Sequence, residues 1–135
     1  MRTLVTNLLT RDVERCAAFY RLLCGLTEVR RTESYVLFAA ADGESFQIAV
    51  IDWVSELVPR AARGLSAGAY LTFVLEDVGA ALAIARDFEL EVVEETPSQP
   101  GSAPIHAVLR DIDGRIIELV IPAAHLALAP QQRVA

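Results

Sequence analysis

The feature that most constrains this chain is that it repeats itself. Near the start stands Thr3-Leu-Val-Thr-Asn-Leu-Leu-Thr-Arg-Asp12-Val13, and in the second half Gly68-Ala-Tyr-Leu-Thr-Phe-Val-Leu-Glu-Asp77-Val78. Each is a short β-rich run that ends in Asp-Val and opens a helix, at an offset of 65 residues. A second pair follows in the same order. Asp42-Gly43-Glu-Ser-Phe-Gln47-Ile-Ala-Val50 matches Asp113-Gly114-Arg-Ile-Ile-Glu118-Leu-Val-Ile121 at an offset of 71. In both, Asp-Gly is a hairpin turn signal and a strand follows. Two ordered matches whose offsets differ by a loop's length indicate one duplicated supersecondary unit.

Each half gives the same element pattern. Asp12 suits a helix N-cap. Val13, Cys16, Ala17, Tyr20, Leu23 and Cys24 recur at helical spacing, and Gly25 supplies the stop. Strands are predicted at 27–31, 35–40 and 45–51. In the second half Asp77 caps a helix bearing Val78, Ala81, Leu82 and Ala85, and strands are predicted at 91–94, 105–110 and 116–121. The Pro/Gly/Ser-rich stretch 97–104 is a loop. The reading is therefore α+β: two tandem βαβββ modules, residues 1–58 and 66–122, in a single domain of residues 1–125, with a tail at 126–135. A lone βαβββ unit has a helix on only one face of its sheet and leaves the other bare. Two such sheets paired close a half-open barrel around a pocket.

Composition narrows the function classes. The 135 residues suit one domain, and 53% hydrophobic against 22% charged reads as well packed. A net charge of −6 argues against nucleic acid, whose phosphates favour a basic surface. No window nears the roughly 18–20 apolar residues of a membrane span, and the first residues turn polar too soon for a signal peptide. The cytoplasm is the expected compartment. Cys16 and Cys24 share one helix, roughly 12 Å apart by helical rise, too far for a disulfide, and are read as reduced core thiols. No Gly-rich phosphate loop, Cys-x-x-Cys or nucleophile elbow is present.

Arg11-Asp12-Val13, Phe19-Tyr20, Gly25-Leu26, Glu76-Asp77-Val78 and above all Leu109-Arg-Asp111-Ile-Asp113-Gly114-Arg-Ile-Ile-Glu118-Leu-Val resemble the vicinal oxygen chelate superfamily, the glyoxalase, bleomycin-resistance and dioxygenase proteins. The resemblance runs over residues 3–122. It implies the glyoxalase-type fold, a cleft for a small molecule and, in metal-dependent members, four ligands from the first and last strand of each half. Seven residues before the Asp of Asp-Val stand Val5 and Tyr70, and the last strands contribute Gln47 and Glu118. Valine binds no metal and a phenol ionises near pH 10. Sliding the first strand by two brings in Asn7. This set implies no catalytic metal and no cofactor.

Glu118 on an apolar strand then has several readings: an inherited ligand position without a metal; a hydrogen-bond partner of Tyr70 or Gln47 across the pocket; an anchor for a cationic ligand; or a general base. His106, on the neighbouring strand, is either a rim residue or a polar pocket contact. His125 is read as inert, and Arg30-Arg31 and Glu94-Glu95 as solvated surface. Of the aromatics Tyr35, Phe38, Phe46, Trp53, Tyr70 and Phe73, Tyr70 is expected inward, and Trp53 either over the pocket mouth or in a dimer interface. The expected function is binding of a small aromatic or amphipathic molecule in the inter-sheet cleft by Gln47, Tyr70, Glu118, His106, Val5, Asn7 and Trp53, without a metal. The alternative is a superfamily lyase, isomerase or dioxygenase that uses Glu118 as base or metal ligand. A homodimer is expected from the resemblance.

Overall fold

The computed structural model describes residues 3–42, 46–63 and 68–125. Gly43 of the first hairpin turn, the predicted strand start at Ser45, the end of the connector and the tail at 126–135 lie outside the described residues. The chain divides into two compact units, Met1–Gly68 and Ala69–Ala135. Each is one βαβββ module, so the duplicated architecture is as predicted.

In the first unit β1 (Val5–Thr10) leads into α1 (Val13–Cys24), then β2 (Thr27–Thr32), β3 (Tyr35–Ala39) and β4 (Gln47–Asp52). The sheet order is β1-β4-β3-β2. The β1–β4 pair is parallel and the rest antiparallel. The Asp12 carboxylate accepts from the Arg15 N–H at 3.1 Å, which satisfies one of the orphan donors of the first turn. Gly25 closes α1 at φ 62°, while the Leu26 N–H reaches back to the Arg21 carbonyl. The apolar stripe Val13, Cys16, Ala17, Tyr20 and Leu23 is buried with Leu8, Val36, Phe38, Ile48 and Val50 of the sheet. Period-two alternation puts Val5, Asn7, Leu9, Gln47, Ala49 and Ile51 on the opposite face. There Ala49, Ile51 and Val58 form a second apolar cluster with Leu9, Tyr35 and Leu37. Strand β2 is exposed along its length and carries Glu28, Arg30 and Arg31, charges that discourage edge pairing. Arg31 bridges Glu14 and Glu28.

The second unit repeats this plan: β5 (Leu71–Val74), α2 (Val78–Asp87), β6 (Val92–Pro97), β7 (Pro104–Arg110) and β8 (Ile116–Val120), in the order β5-β8-β7-β6. Asp77 caps α2 by accepting from the Ala80 N–H at 2.9 Å. The helix ends as α1 does, with the Leu90 N–H on the Ala85 carbonyl, but here the left-handed position is Glu89 at φ 59°. Val78, Ala81, Leu82 and Ala85 are buried with Ala107, Leu109, Ile117 and Leu119. Strand β6 runs to Pro97, three residues past the predicted end, because its pairing with β7 extends to Pro97 and Pro104. After β8, residues 122–125 form a helical turn. Among the described residues no helix is long and apolar enough to cross a membrane.

The Arg-Asp-x-Asp-Gly motif gains a physical role. Asp111, 4% exposed, sits inside the β7–β8 turn. Its Oδ1 accepts from the Asp113 and Arg115 N–H groups at 2.9 Å each, and its Oδ2 takes the Arg115 guanidinium. Gly114, at φ 81°, completes the turn. The motif is a turn clamp, and it fixes how β8 enters the sheet and hence which face Glu118 occupies.

Candidate functional site

The helix-facing side of β8 is taken by Ile117 and Leu119, so alternation turns Glu118 to the helix-free face. Strand β8 lies between β5 and β7. Register sets Thr72 of β5 on one side of Glu118 and Val108 of β7 on the other. His106, two residues earlier on β7, points to the same face and lies diagonally across from Glu118.

These side chains meet. The Thr72 hydroxyl donates to Glu118 Oε1 at 2.8 Å, and His106 Nε2 lies 2.8 Å from Glu118 Oε2. An ionised carboxylate only accepts, so the proton of this contact belongs to His106 Nε2. On its other side His106 Nδ1 faces Glu94 Oε1 of β6 at 3.7 Å. Glu118 and His106 are 25% and 20% exposed at the side chain, while Glu94 is 58% exposed. Burial alone would raise the Glu118 pKa. The hydrogen bonds from His106 and Thr72, and the positive charges of His106 and His125, outweigh that and hold the carboxyl below its ordinary value. Glu118 is therefore a shielded, fixed, charged acceptor at neutral pH.

The predicted site residues divide between the units. In the first, Val5 and Gln47 are register partners, and Asn7 lies one row along opposite Ala49. Trp53 follows β4 at 45% exposure, its ring under the Arg11 guanidinium at 5.3 Å. In the second, Tyr70 lies one residue before β5 and is 63% exposed. The position beside Glu118 is Thr72. Counting back from Asp-Val assumes that both first strands pair alike, but the partner of Gln47 is seven residues before Asp12 and that of Glu118 five before Asp77. Within its own unit Glu118 takes hydrogen bonds from Thr72 and His106. Two residues read as inert or solvated also bear on the carboxylate: His125 through its charge and Glu94 through His106. Thr72 was missed, because Tyr70 and Thr72 share a face and only the register of the β5–β8 pair separates them.

By the same register, Val5, Leu37 and Gln47 of the first unit are the counterparts of Thr72, His106 and Glu118. The polar trio exists in one module only. Cys16 and Cys24 are unbridged; Cys16 is buried in the core while Cys24 is half-buried, and burial pushes its thiol up to about 12.

Known proteins give a consistent result. The chain matches no described sequence family and no curated protein sequence. Its structure is similar to lactoylglutathione lyase from Agrobacterium tumefaciens, at 19% identity over 91% of this chain and 95% of that one, with a TM-score of 0.60. It is also similar to the fosfomycin resistance protein FosX from Mesorhizobium loti, at 18% identity over 96% and 98% of the chains and a TM-score of 0.64. The chain has the vicinal oxygen chelate fold. FosX from Listeria monocytogenes, solved with manganese(II) and sulfate, is similar at 17% identity over 90% and 89% of the chains, with a TM-score of 0.61.

That fold raises the question of a metal, which the donor chemistry of each module addresses. The first module offers Val5, which has no donor, and Gln47, a single amide. The second offers Glu118 and His106, already bonded to each other, and the neutral Thr72 hydroxyl. Among the described residues no three His, Cys, Asp or Glu side chains gather as a metal site. Neither module by itself supplies the donors of a four-ligand divalent centre of nitrogen and carboxylate ligands.

Proposed function

We propose that the protein binds a small aromatic or amphipathic molecule carrying a positive group, anchored by Glu118 on the helix-free face of the second module, and that it does so without a catalytic metal. The observation that carries this reading is the state of Glu118. It is three-quarters shielded, held at both oxygens and biased toward the charged form. A shielded carboxylate strengthens its attraction for a cation, because the field is less screened than at the surface. Val74, Val108 and Val120 share its face and supply apolar floor, in the mixture usual for small-molecule sites.

The other reading makes the protein an enzyme that uses Glu118 as base. The lowered pKa weighs against it, because a carboxylate held in its charged form is a poorer proton acceptor. The test compares benzylamine with its neutral isostere benzyl alcohol by two-dimensional NMR. Benzylamine is expected to shift the amides of residues 116–120 saturably, and Glu118→Gln to abolish the effect. Equal binding of the two probes overturns the proposal. Stoichiometric nickel, zinc or manganese retained through desalting, and lost in Glu118→Ala, overturns its metal-free part.

A further inference from the structure

The geometry points to a more specific partner: we infer that Glu118 is preset as a two-point fork for a planar, doubly donating cation, an amidinium or guanidinium, in preference to a simple ammonium. The inference rests on the proposed function and names the ligand group that site takes.

Thr72 approaches from β5 and His106 from β7, the two strands that flank β8. They engage different oxygens, Thr72 at Oε1 and His106 at Oε2. An ionised carboxylate offers about four acceptor directions, two per oxygen. Among the described residues one direction on each oxygen is used, and one on each remains. Had both donors met the same oxygen, that oxygen would be saturated and only one-point recognition would be left. One open direction on each of two oxygens, in a carboxylate whose rotation is stopped from both sides, matches the two parallel N–H groups of an amidinium or guanidinium. An ammonium, a point charge on a tetrahedral centre, gains less from such a fork.

Charge agrees. Glu118 and Glu94 flank His106, so these three side chains together remain net negative whether the imidazole is protonated or neutral. Arg110 shares the β7 face but has Glu91 3.5 Å away. His125 acts on Glu118 only through its charge.

The experiment titrates the full chain with benzamidine and with benzylamine, which share a ring and a charge and differ in donor geometry. Benzamidine is expected to bind at least about tenfold more tightly, a preference of the size a second charge-assisted hydrogen bond provides. Thr72→Val, which releases one side of the carboxylate, is expected to cut the preference severalfold. Glu118→Gln abolishes binding of both. Glu118→Asp, which keeps the charge but withdraws it from both donors, removes the preference and serves if the glutamine variant does not fold. Equal affinity for the two probes, both lost in Glu118→Gln, overturns the fork and leaves the cation anchor standing. Binding of neither probe, or binding that survives Glu118→Gln, overturns both.

Discussion

Thr72→Val tests the carboxylate's environment directly, without any ligand. Valine matches threonine in shape and is at home in a strand, so the substitution removes little besides the hydroxyl that donates to Glu118 at 2.8 Å. A hydrogen bond to a charged group contributes about 1.5–3 kcal/mol when well shielded. Thr72 is solvent-exposed and water can partly replace it, so about 1 kcal/mol is the appropriate figure at neutral pH. For a chain of this size that corresponds to a melting shift of about 4 °C. The pH dependence has a definite sign. The folded-state pKa of Glu118 lies below its unfolded value, so its stabilisation is present above that unfolded value, 4.5 for the unperturbed group, and is lost as pH falls through the folded one. The gap between wild type and Thr72→Val should therefore be full at pH 7 and narrow in acid, where the hydroxyl faces a neutral carboxyl. Urea unfolding at pH 7 and below pH 4, with Thr72→Ser as the control that keeps the hydroxyl, measures it. A serine variant as destabilised as the valine one, or a gap independent of pH, refutes the reasoning.

Other outcomes follow from the same structure. Glu89→Gly should stabilise the fold by about 0.5–1 kcal/mol, since residue 89 holds the left-handed conformation at φ 59° that Gly25 adopts in the first module; thermal melting measures it. Cys24 should react with a thiol reagent at pH 8 roughly a thousandfold more slowly than a free thiol, because moving its pKa from 9.0 to about 12 removes most of the thiolate. We also propose that the chain pairs as a homodimer, which light scattering coupled to size exclusion checks; a mass near the monomer's 14.7 kDa at micromolar concentration counts against it.

Most of the architecture was legible because it is encoded locally and twice. Asp12 and Asp77 mark helix starts by a short-range bond that needs no tertiary context, and buried residues at three-and-four spacing reveal the helices' inner faces. Glu118 stood out because charge on an otherwise apolar strand is costly unless it has partners. Its partners were harder to read. Choosing Thr72 over Tyr70 requires the register between two strands 46 residues apart, and the first strands of the two modules pair with a shift of two residues relative to their helix starts. A two-residue shift preserves the face, so the alternation pattern contains no trace of it. His106 was undecided for a related reason: whether an exposed-looking histidine meets a carboxylate depends on the strand beside it.

The restriction of the Thr72–Glu118–His106 trio to one module makes this molecule its own control. Its other half carries the same strand ladder with Val5, Gln47 and Leu37 at the matching stations. Installing threonine, glutamate and histidine there would ask whether backbone geometry alone suffices to assemble a clamped acid. If it does, the duplication supplies a spare berth, and a second recognition centre lies three codons from the existing gene.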